Sequence, residues 1–188
     1  MLKEAATYDE LTRNFRWDVP ARFNMATACC DRHADGTGRL ALIYVDEDGG
    51  TTRTSFDDVA DASRRFANVL TADGLVRGDR VAVFMSQSLE LPVAHLAAFR
   101  AALISIPLFA LFGEDALEFR LSNSAAKALV TDEAGWEKIA RIRDRLPDLK
   151  SVYIVGDKTP AGTKSFWGAI RSASPQFTTV DTSADDPA

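Results

Sequence analysis

The regular alternation of strand-like and helix-like segments between Arg80 and Ser172 constrains the fold more than any other feature of the sequence. The first strand-like run, Arg80–Met85, is almost continuously apolar, which is typical of a parallel strand covered on both faces. Because strands alternating with helices at this spacing form βαβ units, we predict the α/β class, with three α/β/α layers around a mostly parallel sheet. The predicted strands are Arg80–Met85, Leu103–Pro107, Lys127–Thr131 and Ser151–Val155. The predicted helices are Ser88–Ala101 with Ser88 as its cap, Glu114–Asn123, Glu133–Leu146 and Ser165–Ser172.

A β-hairpin is predicted ahead of this region. Arg39–Asp46 and Thr51–Thr54 have strand patterns, and Asp48-Gly49-Gly50 between them suits a tight turn. Ser55 and Asp58 have the spacing of a capping box, so a helix should begin there and end at Gly74. Further upstream we predict an extended arm over Met1–Val19 and a helix over Arg22–Ala34 with Phe23, Ala26 and Cys30 on one face. The predicted division of the chain is an arm and helix at 1–38, an α/β subdomain at 39–174, and a polar tail at 175–188 that leads to a missing downstream domain.

Composition and charge exclude several classes of protein. Lys and Arg total 22 and Asp and Glu total 27, so the formal charge is 22 − 27 = −5 over 188 residues. Nucleic acid is therefore not an expected partner, because affinity for its phosphates comes mainly from Lys and Arg. No signal peptide is predicted, and the adjacent Cys29 and Cys30 suit reduced thiols, so we predict a cytoplasmic protein. Charged and proline residues interrupt the most apolar stretch, Leu91–Phe112, and no transmembrane segment is predicted.

The common catalytic and metal-binding motifs are missing from the sequence. It contains no Gly-x-x-x-x-Gly-Lys-Ser/Thr phosphate loop and no Gly-x-Ser-x-Gly elbow, and Gly36-Thr37-Gly38 precedes a strand instead of following one. Cys29 and His33 could share a helix face, but no convincing third and fourth zinc ligands follow them. His95 lies among apolar residues and is interpreted as a core residue. We therefore predict no metal site and assign no catalytic residue.

Two charged groups of residues are interpreted as solvated surface. The helix that carries Lys138, Arg141, Arg143 and Arg145 could bind an anion or a coenzyme phosphate. Pairing of this face with Glu137 and Asp144 is the preferred interpretation. Asp185 and Asp186 are neighbours in the tail and point in different directions, so they are not expected to form an acid–base pair.

The segment Leu108–Phe112 is bulky and apolar where a polar loop is expected after a strand. It could fill the core, line a pocket at the carboxyl edge of the sheet, or meet another domain. These alternatives stay open on the sequence alone.

Four blocks in succession resemble the N-terminal region of AMP-forming acyl-CoA synthetases, which belong to the adenylate-forming superfamily. The Gly74–Val83 block, Gly-Leu-Val-Arg-Gly-Asp-Arg-Val-Ala-Val, is the most specific of them. The others are Thr54–Val59, Ile106–Leu108 and Leu117–Leu121. The sequence departs from the family at Ser86-Gln87, where Pro-Asn is usual, and at Ala102, where Gly is usual. The second departure matters if that position needs a positive φ.

The resemblance implies an acid–thiol ligase that uses ATP, Mg²⁺ and coenzyme A. Such an enzyme converts a small-molecule carboxylate into an acyl-adenylate and then into a thioester. The matching blocks correspond to scaffold, and the family's phosphate loop and catalytic lysine would lie downstream. No catalytic or cofactor-binding residue is therefore carried over, and the chain alone is expected to be inactive.

Two alternatives belong to other functional classes. One is a free-standing α/β module that binds a nucleotide or an acyl group at the carboxyl edge of the sheet. The other is a structural fragment that self-associates, since exposed apolar surface near Leu108–Phe112 or an open edge strand would favour a homodimer.

Overall fold

The computed structural model describes residues 4–188 and contains a five-stranded parallel sheet with helices on both faces. The predicted fold class is confirmed. The elements before the sheet are α1 (Tyr8–Asn14), α2 (Met25–Cys29), β1 (Leu40–Val45), β2 (Thr51–Ser55) and α3 (Phe56–Ala72). Those of the alternating region are β3 (Arg80–Phe84), α4 (Glu90–Arg100), β4 (Ile104–Leu108), α5 (Glu114–Asn123), β5 (Ala128–Asp132), α6 (Glu133–Ile142), β6 (Ser151–Val155), β7 (Lys164–Ser165) and α7 (Phe166–Ser172).

The sheet has the strand order β4-β3-β5-β6-β7, with β4 at one edge. Side chains of each strand alternate between its two faces, and each face packs into its own apolar cluster. Val81 and Val83 of β3 belong to the cluster under α3, α4 and α7, whereas Ala82 and Phe84 belong to the cluster under α5 and α6. The near-continuous apolar run is therefore explained by burial of both faces.

The hairpin and the helix after it follow the local sequence closely. β1 and β2 pair antiparallel, with Gly49 at φ +83° in the turn between them. The Ser55 side chain accepts a hydrogen bond from the Asp58 amide, and the Asp58 carboxylate accepts one from the Ser55 amide, which completes the predicted capping box. Gly74, at φ +86°, ends α3 in a Schellman motif, since its amide and that of Leu75 donate to carbonyls of the last helical turn.

The Gly78-Asp79-Arg80 sequence at the start of β3 has a structural role for each residue. Gly78 adopts φ +83°, and the Asp79 carboxylate accepts a hydrogen bond from the Val76 amide at 2.9 Å and pairs with Lys127 at 2.7 Å. The Arg80 guanidinium donates to carbonyls just after α5, including that of Ala125 at 3.0 Å. This block therefore forms a turn, starts a strand and caps a neighbouring helix.

Several predicted elements differ from the structure. The extended arm is wrong over Tyr8–Asn14, where α1 forms with Thr7 as its N-cap. The predicted helix Arg22–Ala34 is limited to α2 and a 3₁₀ turn, and Phe23 lies before it and is exposed. Ser88 does not cap α4, which begins after Leu89 without a side-chain cap. The helix predicted to Leu146 ends at Ile142 and continues as a 3₁₀ turn, and the short strand β7 was not predicted.

The segment after α7 contains no helix or strand among its described residues, but it is tied to the body of the protein. The Val180 amide donates to the Arg100 carbonyl at 2.8 Å, and the Thr182 hydroxyl donates to the Phe23 carbonyl at 2.6 Å. Arg22 forms an isolated antiparallel bridge with Ser183. The residues just before α2 and the segment after α7 are thus held side by side. The proposed division at 38/39 and 174/175 stays a prediction.

Ala102, one of the two departures from the family pattern, adopts a left-handed backbone conformation with φ +53°. An L-residue with a Cβ pays a steric cost there that glycine does not pay, whereas glycine loses more entropy on folding. We expect Ala102→Gly to raise the free energy of unfolding by about 0.5–1 kcal/mol in urea denaturation. Its neighbour Ala101 has φ −88°, so Ala101→Gly should lower the stability instead. Equal effects of the two substitutions would contradict this explanation.

Candidate functional site

An apolar cleft of about 580 Å³ lies between the hairpin, α2, α3, α4 and the edge strand β4. Leu42 of β1 and Phe56 of α3 form one side, and Leu91, Leu96 and Phe99 of α4 lie opposite. The hairpin contributes because the exposed ladder β1–β2 packs against α3 and not against the main sheet. This volume falls within the usual range of small-molecule pockets, about 300–1,000 Å³.

The cleft has few polar side chains and none that is charged, and Ala188, the last residue of the sequence, also lines it. His95 of α4 and Ser105 of β4 both line it, and the His95 Nδ1 atom lies 2.6 Å from the Ser105 hydroxyl oxygen. Burial lowers the pKa of His95 from its ordinary value of 6.5, so the imidazole is neutral at pH 7. Cys29 and Cys30 also line the cleft, and burial raises the pKa of the Cys30 thiol. The cleft therefore presents a neutral imidazole, a hydroxyl and thiols within an apolar wall.

A buried ion pair holds the helices behind the cleft. The Arg100 side chain is fully buried, and its two terminal nitrogens donate to the Asp31 carboxylate at 2.8 and 2.7 Å. The Ser63 hydroxyl accepts from Arg100 Nε at 2.9 Å, and Arg64 adds a second contact to Asp31 at 3.0 Å. Burial raises the pKa of Asp31, but the hydrogen bonds and charge of Arg100, aided by Arg64, more than offset this and bring the pKa below its ordinary value.

The carboxyl edge of the sheet is a second candidate region. The strand order places a topological switch point between β3 and β5, because the connection after β3 runs to β4 and the one after β5 runs to β6. The Asp132 carboxylate there caps α6 through the Gly135 amide at 2.7 Å and accepts from the Ser86 amide at 3.3 Å. The Ser88 and Thr131 hydroxyl oxygens are buried without a hydrogen-bond partner in the described part of the chain. Because the Asp132 carboxylate already accepts a hydrogen bond from an amide at the start of α6, that amide is not free to bind a ligand.

The cysteine and histidine residues singled out in the sequence do not form a cluster. Cys29 ends α2 and is exposed, and His33 lies in the following 3₁₀ turn, with Arg32 and Arg39 at its two ring nitrogens. Within residues 4–188, no group of three or more His, Cys, Asp or Glu side chains could hold a metal ion. The absence of a metal site stays a prediction.

The basic residues of the α6 region are paired, but not with the predicted partners. Arg141 contacts Glu114 at 2.9 Å and Arg145 contacts Glu118 at 2.7 Å, so both acids come from α5. Lys138 donates to loop carbonyls of the segment 108–112, at Ala110 and Phe112. Glu137 and Asp144 were the expected partners. The local sequence pattern could not predict these ion pairs, because each joins residues 27 positions apart.

The two acidic residues of the tail differ in their contacts. Asp186 pairs with Arg77, while the Asp185 amide donates to the Ser183 hydroxyl at 3.3 Å.

The apolar segment 108–112 contacts the core at its two ends, where Leu108 is buried and Phe112 is partly buried against the cluster under α5 and α6. Leu108 is buried, whereas Phe109 and Leu111 are 62% and 78% exposed, and Phe119 of α5 is also exposed. The Phe112 ring packs under the Arg120 guanidinium at 4.1 Å. No residue of the segment 108–112 lines the apolar cleft, and neither does Phe119. The homodimer expected from such exposed surface stays a prediction.

A family model described as AMP-binding enzyme matches residues 30–188, which include the hairpin, the whole sheet and both of its helical layers. The chain belongs to the AMP-binding enzyme family. The resemblance stated from the four sequence blocks is thereby confirmed, and the matched region includes the Arg100–Asp31 pair and the residues that line the cleft, except Cys29.

Relatives of this AMP-binding family member include acyl- and acetyl-CoA synthetases. The chain is 38% identical over 168 residues to the acetyl-coenzyme A synthetase of Bacillus subtilis, covering 83% of this chain and 29% of that protein. It is 29% identical over 184 residues to the mitochondrial acyl-coenzyme A synthetase ACSM3 of Rattus norvegicus, covering 94% and 32%. The crystal structure of a Brucella canis acyl-CoA synthetase superimposes with a TM-score of 0.85 at 30% identity, covering 95% of this chain and 34% of that one. The chain therefore spans about a third of the length of these relatives.

No helix among residues 4–188 combines the length and apolar character that crossing a membrane requires.

Proposed function

We propose that this chain supplies scaffold to an AMP-forming acyl-CoA synthetase. The observation that carries the proposal is the family match over residues 30–188, together with relatives whose names are acetyl- and acyl-CoA synthetase. The Gly78-Asp79-Arg80 block supports it, because its residues make a turn and cap a helix and leave no group free for chemistry.

The proposed reaction has two steps. A carboxylate oxygen of the small-molecule acid attacks the α-phosphorus of ATP, the bond to the β-phosphate oxygen breaks, and pyrophosphate leaves. The thiolate of coenzyme A then attacks the acyl carbon, the bond to the AMP oxygen breaks, and the thiol proton passes to solvent. ATP and coenzyme A are the proposed co-substrates of this reaction, and Mg²⁺ is its proposed cofactor.

The residues that the structure describes do not fit a triphosphate or its magnesium ion. No side chain that lines the apolar cleft is charged, and transfer of a polyanion into such surroundings is costly. The described residues offer no metal-ligand cluster, and Lys138, Arg141 and Arg145 are engaged with carboxylates or carbonyls. We therefore assign no chemical step to residues of this chain and propose that the chain alone is inactive.

A direct assay tests the inactivity. The purified 188-residue protein is incubated with ATP, Mg²⁺ and acetate, butyrate or benzoate, and pyrophosphate release is measured with the Bacillus subtilis acetyl-coenzyme A synthetase as the active control. We expect release no faster than in the blank without carboxylate. Carboxylate-dependent turnover by this chain would overturn the proposal of inactivity.

A chimera tests the scaffold role itself. Residues 30–188 replace the matching segment of the Bacillus subtilis enzyme, to which the chain is 38% identical. We expect the chimera to release pyrophosphate in the presence of acetate, since the scaffold contacts should be equivalent. A chimera that shows a cooperative thermal transition but no acetate-dependent release would contradict the proposal.

A further inference from the structure

The sequence contains three Asp–Gly bonds, and the structure holds them in different ways. They are Asp35-Gly36, Asp48-Gly49 and Asp73-Gly74. An Asp–Gly bond converts readily to isoaspartate, because glycine has no side chain to hinder attack by its own nitrogen on the aspartyl carboxyl group. The contacts of the carboxyl group and of the glycine nitrogen therefore determine which of the three bonds reacts.

The conversion needs only water and involves no oxidation or reduction. The glycine nitrogen attacks the side-chain carbonyl carbon of the aspartic acid, a carbon–nitrogen bond forms, and the hydroxyl group leaves with the amide proton as water. Water then adds to either carbonyl of the cyclic succinimide and breaks one of its two carbon–nitrogen bonds. One route restores aspartate, and the other gives isoaspartate, whose main chain runs through the side-chain carbon.

The Asp35-Gly36 bond is held at both reacting groups. The Asp35 carboxylate accepts hydrogen bonds from the Thr37 amide at 3.1 Å and from the Thr37 hydroxyl at 2.6 Å. The Gly36 amide donates to the Asp57 carboxylate of α3 at 2.9 Å. The hydrogen bonds from Thr37 also lower the pKa of Asp35, so fewer molecules carry the neutral carboxyl group from which the hydroxyl leaves.

The Asp73-Gly74 bond has more contacts with the rest of the protein. The Asp73 carboxylate accepts hydrogen bonds from the hydroxyls of Ser151, at 2.6 Å, and Tyr153. It also pairs with Lys164. Burial raises the pKa of Asp73, but the hydrogen bonds from Lys164 and its neighbours more than offset this and lower the pKa. Reaction at this bond requires the end of α3 to separate from β6 and β7.

The Asp48-Gly49 bond, in the loop between β1 and β2, lacks such contacts. The Asp48 carboxylate accepts no hydrogen bond from residues 4–188, because Asp46 organises this loop instead. The Asp46 carboxylate accepts from the amides of Asp48 and Gly50 at 3.1 and 2.6 Å. One hydrogen bond, to the Asp46 carbonyl at 3.1 Å, holds the Gly49 nitrogen. A short hairpin loop opens locally at a lower free energy than a helix end packed on a sheet.

We propose that Asp48-Gly49 is the site at which this protein forms isoaspartate, and that the contacts of Asp35 and Asp73 protect the other two Asp–Gly bonds. The reaction lies within the hairpin loop and needs neither ATP nor coenzyme A. Its failure is therefore distinguishable from failure of the synthetase proposal.

The product changes the hairpin, because isoaspartate adds one carbon atom to the main chain between β1 and β2. The hydrogen bond from the Asp46 amide to the Gly50 carbonyl, at 2.9 Å, closes the loop in its present length. The adjacent pairing of Val45 with Thr51 depends on the same length. The longer loop is expected to shift both contacts and weaken the hairpin.

Incubation of the 188-residue protein in H₂¹⁸O at 37 °C and pH 7 tests the proposal, because each succinimide that hydrolyses places one ¹⁸O atom in its residue. Trypsin in ordinary water then separates the three bonds into the peptides His33–Arg39, Leu40–Arg53 and Phe66–Arg77, which are measured by mass spectrometry. We expect at least about tenfold more ¹⁸O in Leu40–Arg53 than in either of the other peptides. In the guanidinium-unfolded chain, where the protecting contacts are absent, the three rates should agree within about threefold.

Three variants connect the result to the contacts. Asp48→Glu should abolish incorporation into Leu40–Arg53, because a glutamyl side chain has to close a larger ring. Asp35→Glu is the matched control and should leave incorporation into that peptide unchanged. Thr37→Val removes the hydroxyl that Asp35 holds and should raise incorporation into His33–Arg39 by about fivefold.

The proposal is overturned if the folded protein incorporates ¹⁸O equally into the three peptides, or in the same ratio as the unfolded chain. Incorporation into Leu40–Arg53 that persists in Asp48→Glu would also overturn it. Thr37→Val without effect on His33–Arg39, in a variant whose circular dichroism matches that of the unchanged protein, would refute protection by side-chain hydrogen bonds.

Discussion

Replacement of Asp31 with Asn is expected to lower the free energy of unfolding by about 3–5 kcal/mol, because it removes the anion that compensates a buried cation. The Arg100 side chain has no exposed surface, and both of its terminal nitrogens donate to Asp31. Asn has the same shape but no charge, so the guanidinium stays in the interior, with Ser63 and Thr179 as its further polar partners among residues 4–188. Such a loss is a large share of the roughly 5–15 kcal/mol by which most domains are stable.

Urea denaturation of Asp31→Asn beside Asp61→Asn measures this effect. Asp61 pairs with Arg65 on the surface of α3, with its side chain half exposed, so its replacement should cost less than about 0.5 kcal/mol. The double variant Asp31→Asn/Arg100→Met should lose less stability than the sum of the single variants, since removal of the cation relieves its lack of a partner. A purely additive double variant, or equal losses from Asp31 and Asp61, would refute the buried-pair explanation.

The same substitution should also change the acid limb of stability. The pKa of Asp31 in the folded protein lies below its ordinary value of 3.8, so the ion pair contributes fully above that pH. The contribution is lost as the pH falls through the lower, folded-state pKa, because the unfolded chain binds the proton more readily. Unfolding of Asp31→Asn should accordingly depend less on pH below about 4 than unfolding of the unchanged protein.

Truncation of Phe66 to Ala is expected to cost about 3–5 kcal/mol, because it leaves a cavity in the cluster under α3. Phe66 has no exposed surface, and its ring centroid lies 5.0 Å from that of Tyr153 and 4.7 Å from that of Phe166. The side chain thereby joins α3 to β6 and α7. Loss of the ring removes both aromatic contacts together with its buried apolar area.

Phe119→Ala is the matched control for this second substitution. Phe119 is 66% exposed on α5, so its truncation should change the free energy of unfolding by no more than about 0.5 kcal/mol. Thermal or urea denaturation of the two variants gives the comparison directly. Similar losses at positions 66 and 119 would mean that packing around Phe66 does not contribute what its burial indicates.

The sheet and its helices were predictable, because the apolar residues in their sequence patterns are the residues that the structure buries. The helix Glu114–Asn123 and the strand Ser151–Val155 occur with the predicted bounds, and the capping box at Ser55 and Asp58 is complete. Helix α1 also had a local signal, since Thr7 and Glu10 have the capping-box spacing and the Thr7 side chain caps that helix. The prediction of Ser88 as a cap was wrong, because α4 begins one residue later, after Leu89, and the buried Ser88 hydroxyl makes no hydrogen bond to the described residues.

The candidate site was less predictable, because it depends on contacts between distant segments. Asp31 and Arg100 are 69 residues apart, and no local sequence pattern indicates that these two charges form an ion pair in the interior. His95 was interpreted as a core residue, and in the structure it is half-buried and lines the cleft. The cleft also depends on the hairpin, which packs against α3. The departure at Ala102 was informative, since the family's usual glycine marks a backbone that is left-handed in this protein.

The side-by-side arrangement of the residues just before α2 and the segment after α7 bears on how fast the chain can reach its native state. The hydrogen bond between Thr182 and Phe23 joins positions 159 apart, and the contacts of Asn24 with Val180 join positions 156 apart. Contacts between residues so far apart in sequence slow folding, because a loop that includes most of the polypeptide must close before they can form. The entropic cost of closing that loop grows only with the logarithm of its length, so the arrangement delays folding far more than it weakens the finished protein.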